Sequence, residues 1–512
     1  MSAPAPVAPA PARRRPSGPG RRGRLLVAVA LAFGSAALLW RPPGEPDVVP
    51  PRGGRPFVWG EDDLWAALER RFDAARARGC TGLAPEIGGA LARGRALVGS
   101  LAGRQEPPNA AVFVAIERTI FELAPDVAAC PAFLGEYVTL AGEVRTAVKE
   151  QSRHWDMSSR AARDGVYRLL YGSRAAVEEA MLQAPPTAVP ALVPGTDEPS
   201  STPGTSFHGV TLHSGDILVS RGGAPTSALI ARGNDYPGNF SHVALLRVDA
   251  AGGLAVVEAH IERGVVVSTA DEYLRDVKLR IMVLRLRANL DVVRAAPLLP
   301  DRAATGALER ARERHTPYDF AMDFRDHDAL FCSEVASAAY EAEGVTLWAS
   351  LSRISSPGLA AWLAAFGVRQ FVTEEPSDLE YDPQLAVVAE WRDPDVLFRD
   401  HVDNAVVDVL LEQAESGRRL GYAAARLPFA RLAKAYSVAL NVVGSVGPVP
   451  EGMSAAAALR SQRFEGLHAA LASDVLAAAA RLTVERGRRP PYWTLVRMAR
   501  DACAARHCDT TI

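Results

Sequence analysis

Cys332, His242 and Glu258 are residue types suited to acyl transfer, and each stands where a regular element begins or ends. Cys332 opens a helix-forming run, Cys332-Ser333-Glu334-Val335-Ala336-Ser337-Ala338-Ala339-Tyr340, with Glu334 in the first turn and Val335, Ala338 and Ala339 on one face. A thiol there feels the positive end of the helix dipole, which favours thiolate. His242 precedes the apolar run Val243-Ala244-Leu245-Leu246, and Glu258 closes Leu254-Ala255-Val256-Val257, one strand later. A cysteine, a histidine and a polar group that orients it are the parts of a thiol nucleophile. His260, two residues on, points to the same side of a strand and is the alternative orienter.

The elements that must position these groups follow from periodicity. Asp216–Ser220, Val243–Val248, Leu254–Glu258, Val265–Ser268 and Ile281–Leu286 read as five strands, with Asp249-Ala250-Ala251-Gly252-Gly253 as a hairpin turn. Helices are expected over 303–315 and 332–343. Residues 58–184 read as a helical region of four or five helices, from stripes such as Leu134, Tyr137, Leu140, Val144 and Val148. A Pro/Ser/Thr/Gly linker spans 185–206, a strand-rich domain 207–374, and a C-terminal helical region 375–512. No helix in that last region reads as long and apolar enough to cross a membrane.

The N-terminus reads differently. Residues 1–24 are a Pro/Ala tail with Arg13, Arg14, Arg15, Arg21, Arg22 and Arg24. Leu25 to Trp40 is uncharged, and 25–41 is expected as a transmembrane anchor, with a cleaved signal peptide as the rival. The basic side leads, so the bulk of the chain would lie outside the cytoplasm, in the periplasm. A Pro/Gly linker, 42–57, follows. The net charge of −2 gives no general attraction for nucleic acid.

Five cysteines, Cys80, Cys130, Cys332, Cys503 and Cys508, suggest two local pairs, Cys80 with Cys130 and Cys503 with Cys508, and one leftover thiol, Cys332. Five reduced, buried cysteines are the other reading. No Cys-x-x-Cys occurs, so a structural zinc site is not expected; no metal or other cofactor is read from the sequence. Asp319, Asp323, Asp326 and Asp328, with His327, read as a solvated acidic loop, and Asp216 as a structural carboxylate.

Three motifs, in this order, resemble the circularly permuted papain-like cysteine hydrolases, the YiiX/YebB-like branch of the NlpC superfamily. They are Ser214-Gly215-Asp216; Ser241-His242-Val243-Ala244-Leu245 followed by Val257-Glu258-Ala259; and Thr316-Pro317-Tyr318-Asp319 ahead of Phe331-Cys332-Ser333-Glu334. Here the cysteine follows the histidine by about ninety residues, the reverse of the ordinary papain order. The resemblance implies an α+β fold, an antiparallel sheet packed on the cysteine helix, here flanked by all-α regions. It implies Cys332 as nucleophile, His242 as its base and later acid, Glu258 as orienter, and Tyr318 lining the cleft. The expected activity is a membrane-anchored, extracytoplasmic thiol hydrolase or acyltransferase on amide or ester bonds, in cell-wall peptide or lipid acyl substrates. The alternative is a non-catalytic cell-envelope binding module. Oligomeric state is not legible.

Overall fold

The computed structural model describes residues 48, 50–51, 54–59 and 63–508. The basic tail, the apolar segment 25–41 and most of the linker 42–57 lie outside the described residues.

The strands in chain order are β1 (Leu192–Pro194), β2 (Gly204–Phe207), β3 (Val210–His213), β4 (Ile217–Gly222), β5 (His242–Val248) and β6 (Leu254–His260). They continue with β7 (Gly264–Thr269), β8 (Lys278–Leu286), β9 (Ser352–Arg353), β10 (Val372–Thr373) and β11 (Leu385–Trp391). Seven of them form one antiparallel sheet in the order β1-β11-β8-β4-β5-β6-β7. The β5–β6 turn sets the register that matters for the site. Asp249 Oδ1 accepts the N–H of Ala251 at 2.9 Å and of Gly253 at 2.8 Å, and Gly252 takes φ +85°. Counting back from that turn pairs Ala244 with Glu258, so His242 and Glu258 share a face of neighbouring strands.

The sheet is wider than the five strands read from periodicity. β11 lies in the segment expected to be helical from 375 onward, and β1 in the segment expected as a linker, 185–206; β2, which starts in that segment, pairs with β3 in a separate two-stranded sheet. Leu385-Ala386-Val387-Val388 is an apolar run inserted between two strands, a pattern that does not separate strand from helix. β1 has three residues and exists through its pairing with β11, a contact no local signal carries.

The two faces of the sheet bury different clusters. Val243, Leu245, Val257 and Ala259 pack with Cys332, Val335 and Ala339 of the cysteine helix. That core continues without a break into Val402, Val406, Phe464, Leu471 and Leu495 of the C-terminal helices. Ala244, Leu246 and Val256 face the other way, against Leu212 and Tyr273. The helical region before the sheet has its own core, built from Asp63–Gly99, Ala111–Ala129, Leu134–Gln151 and the helical turns to Gln183. Leu134, Tyr137, Leu140, Val144 and Val148 are all buried there, as their spacing requires.

Buried ion pairs join the three regions. Arg280 of β8 donates to Glu178 of the N-terminal helices at 2.6 and 3.1 Å, and to Asp400 of the C-terminal helix Pro394–Glu415 at 2.6 Å. Arg392 adds a bond to Glu178 at 2.9 Å, and Arg174 one to Glu390 of β11 at 2.5 Å. Guanidiniums so buried are tolerable only because carboxylates meet them, Glu178 holding Arg280 with two parallel bonds.

One membrane expectation needs correction. Among the described residues, the helix Ala455–Arg486 is long and apolar enough to cross a membrane by length and composition. Its alanines supply that apolarity, and Phe464, Leu471 and Val475 are turned into the shared core.

Candidate active site

His242 is the first residue of β5. Its Nε2–H donates to Glu258 Oε2 at 2.8 Å, leaving Nδ1 as the ring nitrogen for a second partner. Glu258 is buried and saturated: Ser268 Oγ donates to Oε1 at 2.8 Å, and His260 Nε2 stands 3.1 Å from the same oxygen. Burial pushes the Glu258 carboxyl up, but the two histidines outweigh it and hold the group well below the usual carboxylate range. His260, expected only as an alternative orienter, therefore shares the carboxylate with His242. Burial pushes the His242 imidazole below its ordinary value, against the pull of Glu258.

Cys332 is the one free cysteine and is buried. Its thiol donates to the backbone carbonyl of Ser241 at 3.7 Å, at the residue before His242. No hydrogen bond joins Sγ to the imidazole among the described residues. Strand parity explains this: Cys332 packs on the Val243 and Leu245 face of β5, while His242 shares the face of Ala244. The structure thus unites His242 with Glu258 and places Cys332 beside the backbone of the same strand end.

The thiol is not a resting thiolate. The regular helix begins at Glu334 with Ser333 as N-cap, so Cys332 lies one residue outside it. Burial pushes the thiol well up, more than the N–H groups of Val243 and Ser333 lower it. The glutamate expected to be ordinary first-turn acid is also unusual. Glu334 accepts the N–H of Phe331 at 2.7 Å and is pushed up to about 9, chiefly by burial, so it carries its proton at neutral pH. Its neighbours Glu374, pushed up to about 7, and Glu375, raised well above the carboxylate range, are buried as well. Sequence patterning had no means of finding this carboxyl cluster, because it is assembled by 334 and 374–375 meeting in space.

Tyr318 lies where a cleft residue is expected. It is bridged to Leu330, and its ring meets Phe331 and Phe320 at centroid distances of 5.5 and 5.0 Å. With Phe331, Glu262 and Glu375 it lines a cavity of about 510 Å³. Asp216 is structural: it accepts from Arg285 at 2.7 and 2.8 Å and from the His213 N–H at 2.7 Å. In the acidic loop, Asp319 accepts the N–H groups of Ala321 at 2.7 Å and Asp323 at 2.6 Å, so its carboxylate shapes the loop. Cys80–Cys130 and Cys503–Cys508 are disulfides, with Cα atoms 4.7 and 5.2 Å apart, which leaves Cys332 as the odd thiol.

No curated protein and no solved structure matches the chain. Residues 211–388, about a third of the chain, match the family model described as permuted papain-like amidase enzyme, YaeF/YiiX, C92 family. That span holds His242, Glu258, Tyr318 and Cys332 and the strands that carry them. Within that span the chain is similar to the circularly permuted papain-like amidases.

Proposed function

We propose that the protein is a thiol hydrolase or acyltransferase that acts on amide or ester bonds through Cys332, His242 and Glu258. The observation that carries this is the Cys332 thiol 3.7 Å from the Ser241 carbonyl, next in the chain to an imidazole already oriented by a buried carboxylate. A neutral thiol beside a neutral imidazole suits general-base catalysis better than a standing ion pair. Substrate entry displaces the thiol from Ser241, and rotation of His242 brings Nδ1 to it. The S–H proton passes to Nδ1 as the S–C bond forms at the substrate carbonyl. The imidazolium returns that proton to the leaving nitrogen or oxygen as its bond to carbon breaks. Water, or another nucleophile, then resolves the thioester with the same histidine as base. Glu258 stabilises the positive ring without taking its proton.

The two disulfides support an oxidising compartment, as expected of a chain exported behind the apolar segment 25–41. Cell-wall peptide and lipid acyl groups both remain in the class of substrates proposed here.

The test is turnover of an acyl p-nitrophenyl ester or anilide by the full-length protein, with trapping of the acyl group on a peptide containing Cys332. Loss of both in Cys332→Ala and His242→Ala supports the reading. Ligand binding without any Cys332-dependent turnover would instead favour the binding module.

A further inference from the structure

A second cavity, of about 610 Å³, lies where the three regions meet, and none of Cys332, His242, Glu258 or Tyr318 lines it. Its size falls in the range of small-ligand sites. Trp65 reaches it from the helix Asp63–Gly99, Tyr171 from the turn Arg168–Gly172 and Trp493 from the helix Tyr492–Ala505. Trp59 completes the aromatic wall. The three tryptophans are half-buried, so each indole keeps part of its surface uncovered.

The polar wall is one stripe of the helix Pro394–Glu415. His401, Asn404, Asp408 and Glu412 follow at spacings of three, four and four, which places them on one side of that helix. Its charged members are already met. Arg232 holds Asp408 with bonds of 2.8 and 3.0 Å, and Arg500 holds Glu412 with bonds of 3.0 and 2.6 Å. Glu178, also in the lining, is met by Arg280 and Arg392. Its neighbour Glu179 accepts the Tyr492 N–H at 3.0 Å and Gln183 Nε2 at 3.2 Å, and burial pushes that carboxyl up towards its neutral form.

The uncharged members are not met. Among the described residues, Asn404 Oδ1 and His401 Nδ1 have no hydrogen-bond partner, although the two side chains are only 3% and 8% exposed. A buried polar atom left unpaired is destabilising, so a pair of them facing one cavity calls for an occupant. His401 Nε2 stands 3.2 Å from Glu178 Oε2 and donates there, which makes Nδ1 of the neutral ring an acceptor. Asn404 adds a second acceptor in Oδ1 and donors on its amide nitrogen. Acceptors beside a donor match adjacent hydroxyl groups, each of which gives one proton and accepts another. With the buried carboxylates satisfied, no unpaired charge is left for an ion to balance. The uncovered indole surface suits the C–H face of a pyranose ring, whose hydroxyls project around its rim.

We propose that this cavity binds a neutral carbohydrate, with its C–H faces against the tryptophans and its hydroxyls bonded to Asn404 and His401. The site is separate from Cys332 and does not rest on the acyl-transfer reading. It would keep the protein on a glycan whether or not Cys332 is at work.

The probes are three neutral disaccharides, N,N′-diacetylchitobiose, cellobiose and maltose, titrated into the full-length protein. Calorimetry reads binding, and tryptophan emission reads contact with the indoles. Saturable binding of at least one disaccharide, with a shifted emission, is expected. Asn404→Leu should weaken that sugar tenfold or more. The same variant should melt at the parent's temperature or above it, because it removes an unpaired buried amide at similar volume. Ala175→Trp fills the cavity from the helix Ser173–Gln183 and should abolish binding, with unchanged circular dichroism identifying it as folded.

Absence of binding by all three sugars at about 10 mM overturns the proposal, since a site of only millimolar affinity would be mostly filled there. Sugar binding that survives in both folded variants overturns it too. An Asn404→Leu protein that melts lower would assign the amide to the fold and remove it from the site. Adenosine or choline, titrated beside the sugars, would overturn the carbohydrate assignment by binding in their place.

Discussion

His260 binds the same carboxylate as His242: its Nε2 lies 3.1 Å from Glu258 Oε1, while His242 Nε2 lies 2.8 Å from Oε2. A single buried acid therefore orients one ring from each of two neighbouring strands. His260 is two residues from Glu258 on β6 and reaches it from the same face.

Glu258→Gln should cut turnover about 100-fold or more, because the amide presents a donor where the His242 ring needs an acceptor. His260→Ala should cost less than about tenfold, since Ser268 still bonds Oε1. Steady-state kinetics on both variants checks the order, and equal losses would make His260 a full partner.

The thiol should behave as a buried, protonated one. Its pKa lies above the ordinary cysteine value, so thiolate is scarce at neutral pH and becomes plentiful only at strongly alkaline pH. Iodoacetamide should label Cys332 at pH 7 at least tenfold more slowly than a free peptide thiol, with a rate still rising past pH 9. A fast plateau from pH 6 would mean that the ion pair forms in the resting protein.

Glu334 gives a pH dependence of known sign. The folded protein holds its proton up to about pH 9, while the unfolded chain releases it near 4.5. Between those values the folded state binds more protons, so stability falls as pH rises. From pH 5 to 8 the loss reaches up to about 4 kcal/mol, at 1.36 kcal/mol per unit. Glu334→Gln keeps a neutral head group and should remove most of it, as urea midpoints at the two pH values would show.

Arg280→Met should destabilise by roughly 3 kcal/mol, because it removes the cation Glu178 and Asp400 share and leaves Glu178 to Arg392 and His401 and Asp400 to Arg221. Since those acids belong to the N-terminal and C-terminal helices, all three regions should melt together at a lower temperature. Calorimetry resolving a separate, unshifted N-terminal transition would refute the coupling.

The candidate residues were more legible than their surroundings. Cys332, His242, Glu258 and Tyr318 could be named because each sits at the edge of a short local pattern, and the five strands β4 to β8 alternate or run apolar between clear turns. What the sequence does not display is whatever depends on distant segments meeting. β11 looks like any apolar run until β8 and β1 flank it. The apolar stretch Ala455–Arg486 owes its membrane-like composition to alanine, whose small side chains equally permit close packing. The thiol's raised pKa reflects burial, a property of the assembled core rather than of the Cys332 helix. The cavity takes walls from segments some two hundred residues apart.

The position of β11 limits how the protein can be divided. It is held on one side by β8 and on the other by β1, and the family match ends at residue 388, inside it. A fragment cut at that match would keep Cys332, His242 and Glu258 but lose the end of one strand and all of its outer neighbour. The row of backbone amides and carbonyls on that side would then meet solvent, a template for strand exchange between copies. Insolubility of such a fragment would therefore report on an open sheet edge, not on the chemistry at Cys332.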